Sequence, residues 1–295
     1  MPTKIEKDAL TGKETTGHDW DGIRELNTPV PRWWLYVWLA TIVWGVALFI
    51  LYPAIPLGRT VTPGLLGYSS HKALDKSLKA LQAERAPFFD KIEATSLSDI
   101  QKDPDLLSVA LIAGKSAFAN NCSPCHGPSG SGRPGYPNLE DDVWLWGGTL
   151  DEIKQTITYG VRSGHPDAHV SDMPHFGADN LLTPDDIQAV ADYVFTLYGN
   201  HPKDAPAPAA ASVEAGAKVF GDNCAPCHGD KAQGNPDVGA PRLASATHLY
   251  GNDRATIVRQ VTLPRQGVMP AWGGRLDDAT IKSLALYVHS LGGGQ

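Results

Sequence analysis

The sequence predicts a mainly α-helical protein: one N-terminal transmembrane helix followed by two tandem copies of a small helical module. Three observations carry this. Residues 33–52 read WWLYVWLATIVWGVALFILY, with no charge and only Thr41 as a polar interruption. Residues 113–127 (AGKSAFANNCSPCHG) and 215–229 (AGAKVFGDNCAPCHG) agree at nine of fifteen positions across a fixed offset of 102. All four cysteines, Cys122, Cys125, Cys224 and Cys227, fall inside those two blocks. The remaining composition is that of an ordinary globular chain, 42% hydrophobic and 19% charged, with a net charge of −7. That acidic balance argues against a nucleic-acid binder, which needs a basic face.

Taken in order, residues 1–31 form a polar tail, expected to be cytoplasmic. Residues 32–53 hold the span: twenty apolar residues at about 1.5 Å rise cross a hydrocarbon core of about 30 Å. Arg32 bounds one end, Pro53 and Pro56 stop the helix at the other, and Trp33, Trp34, Tyr36 and Tyr52 stand at the interfaces. The stretch is longer than a signal-peptide core and lies behind a polar tail, so it reads as a retained anchor. Lys13, Arg24 and Arg32 before it against Arg59 and Lys72 after it favour an inside N-terminus. Residues 54–108 then form a connector, 109–199 the first module, 200–211 a Pro/Ala linker and 212–295 the second module.

Within each module the order of features repeats. A helix with an aromatic four residues before the first cysteine leads into C-x-x-C-H; a proline loop follows, Pro137-Asn138-Leu139 or Pro241-Arg242-Leu243. A helical pattern comes next (Ile153/Ile157; Ile257/Val261), then Met173-Pro174 or Met269-Pro270, then an amphipathic closing helix. The closing helices carry Ile187, Val190, Ala191 and Val194, and Ile281, Leu284, Ala285 and Val288, at i, i+3, i+4, i+7. Thr183, Pro184 and Asp186 supply a start signal for the first of them.

C-x-x-C-H is the attachment signature of a c-type haem. Two thiols three apart on one turn reach the two vinyl groups of one porphyrin edge, and the adjacent histidine lies under the iron. The modules therefore read as two cytochrome c domains with two covalently bound haem c groups, held by Cys122/Cys125 and Cys224/Cys227, with His126 and His228 as proximal iron ligands. A zinc site or redox dithiol would not require both motifs to carry the histidine in register. Apart from Met1 the chain contains only Met173 and Met269, one per copy, each before proline. A thioether is a soft, neutral sixth ligand that raises the haem potential. Each methionine most simply caps the haem of its own copy, with crossing between packed copies left open. His165, His169 and His175, and in the second copy His248 and His289, are rival donors. With both irons six-coordinate there is no catalytic residue to nominate.

Several strings resemble a known family beyond generic haem motifs: Pro31-Arg32-Trp33-Trp34, Tyr52-Pro53, Tyr136-Pro137-Asn138-Leu139, Trp144-Leu145-Trp146-Gly147-Gly148, Gly160-Val161-Arg162 and the two Met-Pro pairs. Together they resemble CcoP/FixP, the dihaem subunit III of cbb3-type cytochrome c oxidases. The resemblance implies a bacterial inner-membrane, single-pass electron carrier with periplasmic haem domains. Its implied partners are the catalytic haem-copper subunit, a monohaem cytochrome c subunit, membrane lipid, and a donor cytochrome c or quinol-oxidising complex. A tethered carrier for a dehydrogenase and a dihaem peroxidase are the alternatives. Residues 113–199 carry eleven acidic and four basic side chains, residues 212–295 seven and eight. This asymmetry leads to the expectation that a basic donor docks on the first copy.

Overall fold

The computed structural model describes residues 5–197, 206–245 and 247–294 and is mainly helical. Residues 200–205 of the 200–211 linker thus lie outside the described residues. Contacts divide the chain into two compact units, 1–83 and 84–295.

In the first unit, β1 (Thr15–Trp20) and β2 (Ile23–Leu26) form an antiparallel hairpin closed by Asp21-Gly22, both at positive φ. An Asp-Gly pair is the turn chemistry that such a two-residue loop demands. The polar tail therefore contains a small folded element. Helix α1 (Arg32–Leu51) follows, long and apolar enough to cross a membrane and with no buried residue. Its one threonine hydroxyl is satisfied internally, Thr41 Oγ1 donating to the Trp38 carbonyl at 2.7 Å. The chain then folds back on the helix end: the Leu65 and Leu66 N–H groups donate to the Ile50 and Leu51 carbonyls at 2.9 and 3.0 Å. These are carbonyls a helix terminus otherwise leaves unpaired. Gly64, at φ +70°, lies so close to the Leu51 carbonyl that a Cβ would not fit.

Helix α2 (Ser70–Ala94) and the short α3 (Leu97–Lys102) make the connector largely helical, and Ile92, Leu97 and Ile100 are buried. In α4 (Pro104–Asn121) Asp103 is the cap and Pro104 takes the first position, so the leading helix starts five residues before 109. The single turn α5 (Ser123–His126) completes the first attachment motif. Capping boxes Thr149/Glu152 and Thr183/Asp186 open α6 (Leu150–Tyr159) and α7 (Pro184–Thr196). The second copy gives α8 (Ala210–Asn223), α9 (Ala225–His228), α10 (Arg254–Thr262) and α11 (Asp278–His289).

Two hydrophobic cores organise the second unit, and each draws on both sequence copies. One joins Phe118 of α4 and Ile153 and Ile157 of α6 to Ile281, Leu284, Ala285 and Val288 of α11. The other joins Ile187, Val190 and Val194 of α7 to Phe220 of α8 and Ile257 and Val261 of α10. The closing helices are thus exchanged. Matching glycines allow the two helix crossings: Gly114 lies against the Ser283 backbone and Gly216 against that of Ala189, with no room for a Cβ at either. The boundary between 199 and 212 separates the repeats in sequence, while the cores pair residues 104–160 with 269–295 and residues 161–197 with 210–268. The strands cross where Val161 and Met269 exchange N–H···O bonds of 3.0 and 2.9 Å.

Candidate haem centres

Both C-x-x-C-H motifs occupy the same local geometry. The cysteine-first turn begins where the preceding helix ends: the Cys122 and Cys224 N–H groups still donate to the Phe118 and Phe220 carbonyls at 2.9 and 2.8 Å. Those phenylalanines are 1% and 2% exposed, so the aromatic four residues upstream anchors each motif to its core. None of the four cysteines is in a disulfide; Cys125 and Cys227 are exposed, Cys122 half-buried and Cys224 buried. Burial, reinforced by the neighbouring cysteine, pushes the Cys122 and Cys224 thiols up to about 11.

The histidines are oriented from behind. His126 Nδ1 lies 3.0 Å from the Pro137 carbonyl and His228 Nδ1 lies 2.9 Å from the Pro241 carbonyl. A carbonyl accepts, so Nδ1 carries the proton and Nε2 keeps its lone pair for a metal. Burial lowers both pKa values against the opposing effect of that carbonyl, which favours the neutral, ligating imidazole. These are the requirements of a proximal haem ligand, and the residues fit the group. The acceptor role of the two prolines is invisible in sequence because it belongs to the backbone. Their matching place in the repeat is the only signal.

The methionines do not lie with their own copy. Met269 packs on the core that contains Phe118 and half-buried Cys122, and Met173 on the core that contains Phe220 and Cys224. The structure therefore brings His126 and Met269 to one lobe, and His228 and Met173 to the other. Of the rival donors, His169 stacks on Trp146 with centroids 4.4 Å apart and bonds Thr156 Oγ1 at 3.1 Å, and His248 Nε2 bonds the Ser245 carbonyl at 2.7 Å. His165 and His175 stand beside Asp167 and Asp179. Among the described residues no group of three or more His, Cys, Asp and Glu side chains is arranged to hold a metal ion.

Exchange also redistributes charge. Residues 104–160 with 269–295 carry eight acidic and five basic side chains, and residues 161–199 with 210–268 carry eleven and seven. The asymmetry of the linear copies becomes −3 and −4 for the folded lobes. The expectation that net charge steers a donor to one module loses its basis, because the basic residues of the second copy fold beside the acids of the first. The local run Glu140-Asp141-Asp142 stays with the lobe built around Phe118.

The family described as the N-terminal domain of cytochrome oxidase-cbb3, FixP, matches residues 12–59. That described as cytochrome c oxidase, cbb3-type, subunit III, matches residues 110–194 and 211–288. The chain is 50% identical over 295 residues, all of both chains, to the cbb3-type cytochrome c oxidase subunit FixP of Bradyrhizobium sp. strain ORS 278. It is 51% identical to subunit CcoP of Azospirillum sp. strain B510, covering 98% of each chain. With subunit CcoP of Cereibacter sphaeroides it shares 47% identity over the full length of both.

Proposed function

The chain belongs to the FixP/CcoP family of cbb3-type cytochrome c oxidase subunits, and from that premise we propose how its residues serve electron transfer. It is a c-type cytochrome subunit of the oxidase, with an N-terminal helix apolar enough to anchor it in a membrane. In our reading it carries two haem c groups. One would be held by Cys122 and Cys125 with His126 and Met269 as iron ligands; the other by Cys224 and Cys227 with His228 and Met173. Such a group supplies a one-electron iron couple whose potential a thioether ligand raises.

The protein contributes orientation, ligand chemistry and shielding. The Pro137 and Pro241 carbonyls fix the imidazole tautomer and ring plane. The two cores keep water from one side of each attachment turn, and the Val161–Met269 pairing sets the height of one methionine. Two axial ligands per iron leave no position for oxygen, so oxygen reduction belongs to a haem-copper subunit. The chain takes electrons from a donor cytochrome c or a quinol-oxidising complex and passes them to that subunit. Residues after α1 lie on the periplasmic face of the bacterial inner membrane, and residues 1–31 in the cytoplasm.

The observation that carries this reading is the paired arrangement of a C-x-x-C-H turn, a histidine held through Nδ1 and one methionine in each core. Purification of the full chain in mild detergent tests it. Two covalent haems per chain by pyridine haemochrome, with haem b and copper in the same complex, are expected. A haem ratio near one would overturn the site assignment, and co-purification with a dehydrogenase lacking haem b and copper would overturn the partner.

A further inference from the structure

Arg162 follows the end of α6, at the point where the chain crosses between the lobes. It has φ +50°, in the left-handed region that side-chain-bearing residues seldom occupy. Its N–H donates to the His169 carbonyl at 2.8 Å. Its guanidinium makes two further bonds: Nε to the Gly267 carbonyl at 2.8 Å and Nη1 to the Ser171 carbonyl at 2.9 Å. Gly267 stands two residues before Met269, and Ser171 two residues before Met173. One planar side chain thus holds the same backbone position in both methionine loops.

Other restraints on these loops are unequal. Met269 is paired with Val161 through two backbone bonds. Met173 borders an open cleft of about 480 Å³, also lined by Arg162, Asp172, His175 and Gln266, and its carbonyl accepts from Gln266 Nε2 at 3.2 Å. Packing alone does not enclose that loop. A guanidinium fork presents donors in fixed directions and spans two acceptors; an ammonium presents a point charge.

We propose that Arg162 is a positioning residue shared by both haem centres, setting the two methionine loops with one side chain so that the axial ligation of both is coupled. The proposal rests on the crossed methionine assignment given above. Its test uses the full chain in its complex. Arg162→Gly accepts the positive φ without strain and deletes the fork; Arg162→Lys keeps the charge without the fork. Redox titration, the ferric methionine-to-iron charge-transfer band and carbon monoxide binding to the reduced protein are read for each haem.

In Arg162→Gly both haems are expected to weaken together: lower potentials, a diminished band and more carbon monoxide bound than in the native protein, with covalent haem content unchanged. Arg162→Lys should show the same effects in smaller degree, and it carries the test if the glycine variant does not accumulate. A change confined to one haem, no change at either, or full recovery by lysine would overturn the proposal. Met173→Leu and Met269→Leu, measured alongside, separate the two claims. If neither disturbs a haem, the ligand assignment fails; if each disturbs one and Arg162→Gly does not disturb both, only the role of Arg162 fails.

Discussion

Arg254→Ala is expected to destabilise the lobe built from α7, α8 and α10 by about 3 kcal/mol. The carboxylate of Asp192 on α7 is 4% exposed and is met by Arg254 Nε and, at 2.9 Å, by Arg254 Nη2 from α10. Ser212 of α8 donates to the same carboxylate at 2.6 Å. Removing one partner of a buried pair costs about 3–5 kcal/mol because the other charge is left uncompensated. Arg254 itself is half-exposed, so water entering its place offsets part of that cost and the low end applies. For a lobe of this size the loss is on the order of 12 °C or more in Tm. Urea titration of the holoprotein by circular dichroism gives the free energy directly. Adding Asp192→Asn to Arg254→Ala should recover most of the loss, since the amide buries no charge. A loss below about 0.5 kcal/mol, or no recovery in the double variant, would refute the reasoning. The pair joins a residue of the first copy to one of the second, so the result also tests the exchanged core.

Met269→Leu should alter the haem attached at Cys122 and Cys125, and Met173→Leu the one at Cys224 and Cys227, each haem being identified by NMR contacts to its own cysteine methylenes; effects within the same copy would reverse the assignment. Lys282→Met should free the end of α2, because Lys282 Nζ donates to the Ile92, Glu93 and Thr95 carbonyls at 3.3, 2.7 and 2.9 Å. Faster amide exchange over residues 92–98 and a loss of about 2 kcal/mol are expected; unchanged protection would remove that role. Protease added to intact spheroplasts should digest everything after α1 and spare residues 1–31, and the opposite pattern would invert the topology.

Local features were the legible ones. The span, the attachment turns, the helix starts at Thr183 and the four-residue spacing of the closing helices all depend on neighbours in sequence, and the repeat doubled every signal. Ile187, Val190, Ala191 and Val194 are buried as their periodicity requires. Partner choice was not legible. The closing helices are near equivalents by design of the duplication, so α4 finds the same kind of apolar face on α7 as on α11. What selects α11 is tertiary: the Val161–Met269 crossing, the bonds from Lys282 of α11 to the carbonyls at the end of α2, and the Trp144 indole donating to the Gly293 carbonyl. The hairpin was missed for a plainer reason. Asp21-Gly22 is a strong turn signal, but the strands beside it are short and polar.

The exchange imposes an order of events on the growing chain. Helices α7 and α8 are neighbours in sequence, so the lobe around Phe220 closes soon after its attachment motif is made. Helix α4 must wait for α11, which is synthesised after every other helix of the two lobes, and the contact of Gly114 with Ser283 spans both copies of the repeat. Contacts of such separation form late. The motif at Cys122 therefore stays open, with both thiols reachable, until α11 has been made. A chain cut short before α11 would carry both attachment motifs intact yet could finish only one of its lobes.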